Sequence, residues 1–90
     1  MVKIIWRKNA LKQLNEQYNY MKLDSFEKAH QARESIFDIV ESLANKPENF
    51  PIDGFKENNK GDIRAFENFK LRVTYQITEN EIRILSVCPL

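Results

Sequence analysis

The chain has 90 residues, of which 42% are hydrophobic and 30% charged. This composition suffices for one domain with a single small core and excludes an intrinsically disordered chain. The formal net charge of +1 excludes the strongly basic surface of a dedicated nucleic-acid-binding domain. The single cysteine, Cys88, excludes an internal disulfide, and no stretch approaches the roughly 18 apolar residues of a membrane span. We therefore expect a cytoplasmic protein.

The first predicted elements are a short strand and an amphipathic helix. Residues 2–6 are rich in β-branched and aromatic side chains, which favour a strand. From residue 7 or 8 the apolar residues recur at spacings of three and four, which predicts a helix of about four turns. Its apolar stripe consists of Leu11, Leu14, Tyr18 and Met21.

A second helix is predicted after a short break at residues 23–25. Asp24 with Glu27 fits an N-terminal cap, and Ser25 is the alternative. The helix must end before Pro47, which cannot continue it. Two such helices form an antiparallel hairpin whose apolar side has to cover another surface. The stripe of the second helix consists of Ala29, Ala32, Ile36, Ile39 and Leu43, widened by Phe37 and Val40.

Residues 46–61 are predicted to form a loop, because they contain two prolines, two glycines and a polar run. Loops of about sixteen residues are longer than most structural connections and are often functional or mobile. Three short strands follow it. The order β-α-α-β-β-β predicts a two-layer α+β fold, in which the helical hairpin packs on one face of a mostly antiparallel sheet.

The alternation of apolar and polar residues predicts how the last two strands pair. If Thr78 pairs with Glu81, the apolar residues of both strands lie on one side of the sheet, whereas a slip of one residue scatters them. In this register Tyr75 faces Ile84, Ile77 faces Ile82, and Gln76 faces Arg83.

A row of arginines is the candidate site. We expect the preceding strand to connect through a three-residue loop, residues 68–70. This loop places Arg64 beside Arg72 on the polar side of the sheet, opposite the helices, with Arg83 farther along. Guanidinium groups bind two oxygens of a phosphate at once, so these side chains predict an anion-binding surface.

Several segments occur together in one order and spacing. They are Ile5-Trp6 with Ala10-Leu11, residues 29–43 leading to Pro47, residues 61–67, and the pair LRVTYQI and EIRILSV at residues 71–77 and 81–87. This pattern resembles the RelE/ParE superfamily of bacterial toxins from type II toxin–antitoxin pairs, and the resemblance covers essentially the whole chain as one toxin domain, residues 1–90. It implies a growth-inhibiting toxin that is held inactive by an antitoxin protein encoded beside it.

The resemblance implies two alternative targets, and the fold alone does not choose between them. ParE-like members inhibit DNA gyrase, whereas RelE-like members enter the ribosomal A site and act as metal-independent mRNA endonucleases. The third alternative is a degenerate, non-toxic binding module of the same fold, such as a homodimer.

The endonuclease alternative needs a base, cations that hold the phosphate, and an acid that protonates the leaving oxygen. By resemblance, Arg72 occupies the position of the phosphate-contacting arginine, with Arg64 as its neighbour and Arg83 as additional support. Glu67 and Glu57 are candidates for the base.

An acid is missing from this pattern. The position at which relatives carry His or Lys falls at Pro89, and Tyr75 is predicted to face the core. Together with the near-neutral charge, this favours a ParE-like or attenuated member over a strong ribonuclease.

Other motifs are absent from the sequence. There is no phosphate-binding or nucleophile motif of the GxGxxG, Walker or GxSxG type, and Cys88 has no His or second Cys near it, so we expect no cofactor and no metal. His30 lies inside the second helix. Phe50, Phe55 and Phe69 lie in predicted loops, where an exposed aromatic ring would suit contact with an antitoxin.

Overall fold

The computed structural model describes residues 2–52 and 61–90, and within them it confirms the predicted two-layer α+β fold. No helix in these two ranges is long and apolar enough to cross a membrane. The elements are β1 (Lys3–Trp6), α1 (Lys8–Lys22), α2 (Phe26–Ser42), β2 (Ile63–Asn68), β3 (Leu71–Ile77) and β4 (Glu81–Pro89).

The sheet has the strand order β1-β4-β3-β2. β1 is parallel to β4, and the other neighbours are antiparallel. The two helices pack against each other, with α1 on β4 and α2 reaching β2. We call the sheet surface opposite the helices the open face; it carries Arg72, Thr74 and Gln76 of β3, which alternate with the core residues Val73 and Tyr75.

The core lies between the helical hairpin and the sheet. Most of the predicted stripe of α2 is buried, but the stripe of α1 differs in one position: Leu11 is 40% exposed, and Ala10 is buried in its place. The core cluster consists of Ala10, Leu14, Ile36, Val40, Leu43, Phe66, Leu71, Val73, Tyr75, Ile82, Ile84 and Val87.

Ser25, the second of the two candidates, caps α2. Its side-chain oxygen accepts a hydrogen bond from the backbone N–H of Lys28 at 3.2 Å, which satisfies one of the unpaired donors in the first helical turn. Glu27 lies in the same turn, where its charge is favourable to the helix dipole.

The pairing of β3 with β4 is confirmed as predicted. Tyr75 lies opposite Ile84, and the backbone N–H of Thr78 donates to the carbonyl of Glu81 at 2.9 Å. A bulge that was not predicted lies between Thr74 and Tyr75, where the register shifts so that Thr74 lies opposite Ser86. Because of this extra residue in β4, Val87 returns to the core side opposite Val73.

The predicted three-residue loop between β2 and β3 is wrong. Asn68 pairs directly with Leu71, so the turn contains only Phe69 and Lys70, and both have positive φ angles, 51° and 62°. This is the geometry of a tight hairpin turn that usually contains glycine or asparagine. The register therefore slips by one residue from the predicted one, and Phe66 lies in the core opposite Val73 instead of on the polar side.

The turn predicts a stabilising substitution. Lys70→Gly should raise the free energy of unfolding by roughly 0.5–1 kcal/mol, because relief of left-handed backbone strain outweighs the added entropy of the unfolded chain. Urea denaturation monitored by circular dichroism measures it. The matched control is Lys12→Gly inside α1, which should lower stability by about 1 kcal/mol. A loss of stability in Lys70→Gly as large as in the control would contradict the assigned turn.

Candidate functional site

The structure separates Arg64 and Arg72, which were predicted from the sequence to lie side by side. Residues directly opposite each other on antiparallel strands point to the same face of the sheet. Arg72 lies opposite Glu67 and Cys88 on the open face, and Arg83 lies opposite Gln76 on that face.

Arg64 lies opposite Tyr75, on the face that the helices cover. The prediction that Arg64 and Arg72 lie side by side is therefore wrong. Its physical cause is the two-residue turn, since a slip of one residue moves every side chain of β2 to the other face.

The guanidinium group of Arg64 binds backbone carbonyls near the edge of the sheet. Its Nη1 donates to the carbonyl of Phe50 at 2.7 Å and to that of Glu48 at 3.5 Å, and its Nε donates to the carbonyl of Gly61 at 3.2 Å. A charged donor that satisfies several carbonyl oxygens fixes the chain that carries them. Arg64 therefore anchors residues 46–52, which we call the post-helix segment.

Further contacts hold the post-helix segment along β2. The hydroxyl of Tyr75 donates to the carbonyl of Pro47 at 2.7 Å, and the N–H of Ala65 donates to the carbonyl of Pro51 at 3.2 Å. The ring of Phe50 packs on Phe66 with centroids 5.1 Å apart. Phe50 is thus partly buried against Phe66 instead of standing free for a partner.

Burial raises the pKa of the Tyr75 phenol, and the positive charge of Arg64 opposes this effect only in part. The neutral phenol is completely buried and donates its proton toward a carbonyl of its own chain. Tyr75 is therefore unsuited to protonate a leaving group at the surface, in agreement with the sequence analysis.

Arg72 lies on the open face and forms an ion pair. Its Nη1 is 3.0 Å from Oε2 of Glu67, its neighbour on β2. Both side chains line a shallow cavity of about 350 Å³. The cavity is also lined by Phe50, Pro51, Ala65 and Phe66.

Arg83 is far from this cavity. It lies opposite Gln76, four residues along β3 from Arg72, which corresponds to about 13 Å. Its Nε is 2.8 Å from Oε1 of Glu81. The two arginines of the open face are thus each paired with a carboxylate and do not converge on one anion.

The remaining candidates among the described residues lie at the end of β4 and in α2. Pro89 ends β4, and Cys88 is exposed and opposite Arg72. His30 is exposed and stacks on Phe26, with centroids 6.3 Å apart. Among the residues that the structure describes, no group of three or more His, Cys, Asp or Glu could hold a metal ion.

Some predicted candidates lie outside the described residues. They are Phe55 and Glu57. Phe69, the other loop aromatic, is 40% exposed. It lines a groove of about 280 Å³ with Tyr20 and Leu90 near the end of α1.

Sequence reasoning missed a row of three aromatic rings and one guanidinium group that joins β1 to both helices. The guanidinium carbon of Arg33 lies 5.4 Å from the ring centroid of Tyr18 and 5.7 Å from that of Phe37, and Phe37 packs on Trp6 at 5.2 Å. Such contacts each contribute about 0.5–1 kcal/mol at exposed positions. The spacing of four residues between Arg33 and Phe37, which places both on the same side of α2, was the sequence feature that could have indicated these contacts.

Comparison with known proteins identifies the family of the chain. The family model for the ParE toxin of the type II toxin–antitoxin system parDE matches residues 4–89. The chain belongs to this family. As a ParE toxin it is the toxin component of a type II toxin–antitoxin module. A sequence search of curated proteins finds no significant match.

Solved structures of such toxins share the fold of this ParE toxin. The chromosomal ParDE system from P. aeruginosa matches with a TM-score of 0.79 and 21% identity, over 100% of this chain and 97% of that chain. The YoeB dimer from Staphylococcus aureus matches with a TM-score of 0.60 and 19% identity, over 99% and 95%. The YoeB–YefM toxin–antitoxin complex from Staphylococcus aureus matches with a TM-score of 0.57 and 19% identity, over 100% and 97%.

The anchoring role of Arg64 predicts a stability difference between two arginines. Arg64→Ala should lower the free energy of unfolding by about 2 kcal/mol, because it leaves carbonyls of the post-helix segment without their charged donor. Arg83→Ala is the matched control, and removal of its exposed ion pair should cost less than about 1 kcal/mol. Urea denaturation of both variants measures the difference. Equal losses would contradict the anchoring role.

The buried phenol predicts a pH dependence. Because its pKa is raised in the folded state, the unfolded chain loses this proton first, and stability falls as the pH rises above about 10, the ordinary phenol pKa. Tyr75→Phe lacks this ionisation. The stability advantage of the wild type over Tyr75→Phe should therefore shrink between about pH 9 and 11 in thermal denaturation. A constant difference across this range would refute the raised pKa.

Proposed function

We propose that this ParE toxin inhibits growth by acting on DNA gyrase, and that an antitoxin protein encoded beside it binds it and holds it inactive. The family match over residues 4–89 supports the choice of gyrase, since the resemblance to ParE-like toxins implies inhibition of that enzyme. The YoeB–YefM complex, a toxin with its antitoxin, has the same fold and supports the antitoxin partner.

The positions of Arg64 and Arg72 are the main support for gyrase over mRNA as the target. Cleavage of RNA by its own 2′-hydroxyl needs cations that converge on the phosphate as charge builds. Arg64 binds carbonyls on the helix side, whereas Arg72 is paired with Glu67 on the open face. A cationic pocket built from these two arginines is not assembled, which supports inhibition by binding over cleavage.

The lack of an acid at the end of β4 supports the same choice. A leaving 5′-oxygen needs a proton donor near the phosphate. Pro89 has no ionisable side chain, and Tyr75 is buried with its hydroxyl bonded to Pro47. Inhibition of gyrase by binding requires neither group.

One observation favours the mRNA endonuclease as the second candidate. Nη1 of Arg72 lies 3.0 Å from Oε2 of Glu67, and both residues line the same cavity of about 350 Å³. A carboxylate base beside a guanidinium is the minimum pair for activating a hydroxyl next to a phosphate. In this alternative Glu67 takes the proton and Arg72 holds the phosphate.

Two assays on the purified chain separate the targets. We expect it to block supercoiling of relaxed plasmid by gyrase and ATP, and to leave translated mRNA intact in primer extension. New 5′ ends between codon positions that disappear in Arg72→Ala, but remain in the surface control Lys28→Ala, would overturn the proposal in favour of the endonuclease.

A growth assay tests the toxin role itself. The chain is expressed in bacteria from an inducible promoter, with and without the neighbouring antitoxin gene. We expect growth to stop only when the antitoxin gene is absent. Normal growth in both cases would instead identify a degenerate binding module.

A further inference from the structure

Positive charge is concentrated at the start of the chain. The first fifteen residues contain four basic side chains and no acidic one. Because the whole chain has 14 basic and 13 acidic side chains, the remaining 75 residues carry 10 and 13, a net charge of −3. The overall net charge of +1 therefore hides a local excess of cations, of the kind that indicates a surface for an anionic partner.

The four cations lie along one run of backbone, from β1 into α1. They are exposed and form no ion pair with any described residue. Glu81 lies opposite the first of them in the register of β1 and β4, but its Oε1 accepts a hydrogen bond from Nε of Arg83 at 2.8 Å. We call the four the basic cluster; they are Lys3, Arg7, Lys8 and Lys12.

The basic cluster opposes the electrostatics of the helix that carries it. Arg7 is the N-cap of α1 without a side-chain hydrogen bond, and the first turn contains Lys8 and no acidic residue. A cation at this end of a helix opposes the helix dipole. α2 has the favourable arrangement, with Ser25 as its cap and Glu27 in its first turn. Charges that weaken their own helix indicate a role outside the fold.

The spacing of the basic cluster fits a row of phosphates. Lys3 and Arg7 are separated by about 13 Å of extended chain, and Lys8 and Lys12 by one helical turn, about 6 Å. Each strand of a DNA duplex presents one phosphate per roughly 3.4 Å of the helix axis, so cations at these spacings contact several phosphates at once. Lysine binds phosphate as a point charge without a fixed orientation, which suits contact with DNA of any sequence.

The basic cluster is too small to hold DNA firmly by itself. Dedicated DNA-binding domains are strongly basic as a whole, whereas this chain has a net charge of +1. The attraction of four cations for phosphates also falls steeply as salt rises. Another interaction therefore has to hold the DNA close to the cluster. The proposed target supplies it, because gyrase holds the duplex that it supercoils.

We propose that the basic cluster binds the phosphate backbone of the duplex DNA that gyrase holds, so that the toxin contacts the enzyme and its substrate at the same time. This inference rests on the proposed gyrase target and names a second surface that binds there. Each contact raises the effective concentration for the other, so neither needs high affinity alone. The cluster reads no base sequence, because phosphates carry none.

Binding to gyrase with and without DNA tests this inference. The purified, fluorescently labelled chain is titrated with gyrase alone and with gyrase loaded on a linear duplex. We expect binding to the loaded enzyme to be at least about tenfold tighter at low salt. The plot of log affinity against log salt should be steeper by about 3 than for gyrase alone, as expected for three or four neutralised phosphates.

Two double variants separate the basic cluster from charge in general. Lys8→Gln with Lys12→Gln should reduce the gain from DNA at least about fivefold and lower the additional salt slope by about 2. Lys22→Gln with Lys28→Gln removes the same charge at the opposite end of the helical hairpin and should keep the gain. The first variant should unfold at the temperature of the wild type or above it, because Lys8 opposes the helix dipole, and circular dichroism checks this.

Three outcomes would contradict different parts of the account. An equal gain from DNA in both double variants would overturn the inference and leave gyrase as the target. If the first variant loses the same affinity for free and for loaded gyrase, the basic cluster binds carboxylates of the enzyme, and the assignment to DNA is wrong. If the wild type binds neither form and supercoiling continues, the proposed target itself fails and the inference falls with it.

Discussion

The register of β2 against β3 is the constraint on which the other surfaces of this toxin depend. It is set where Asn68 pairs with Leu71 and the chain reverses through Phe69 and Lys70 alone. The left-handed backbone at two residues with side chains costs free energy. Burial of Phe66 opposite Val73 in the core offsets that cost, since burying one large apolar side chain contributes about 1.5–3 kcal/mol.

Because of this register, the arginines lie on different faces of the sheet and have different partners. Arg64 points to the helix side and binds the carbonyls of the post-helix segment. Its charge therefore stabilises the fold. Arg72 stays on the open face beside Glu67. The post-helix segment in turn covers the β2 edge, which leaves β1 as the edge without such cover among the described residues. A single turn thus determines which face of the sheet carries Arg64 and which carries Arg72.

The sequence predicted those parts of the fold in which local pattern and burial agree. The alternation in β3 and β4 specified the partners of Tyr75 and Ile77 because any slip would have exposed apolar residues. The turn at Phe69 was not predictable in the same way, since it contains neither glycine nor asparagine. The bulge beside Tyr75 was missed because β4 reads as a continuous strand. The predicted site was wrong because the predicted turn was wrong. The face on which Arg64 lies depends on the register of β2, and only the burial of Phe66 reveals that register.

The most direct test of this register is the pattern of short proton distances across β2 and β3. In NMR spectra of the folded chain, the Hα protons of Glu67 and Arg72 should give a strong nuclear Overhauser effect, and so should those of Ala65 and Thr74, because non-hydrogen-bonded pairs bring their Cα atoms to about 4.5 Å. Strong effects between Phe66 and Arg72, or between Arg64 and Thr74, would instead place Arg64 beside Arg72 on the open face and contradict the separation of the two arginines.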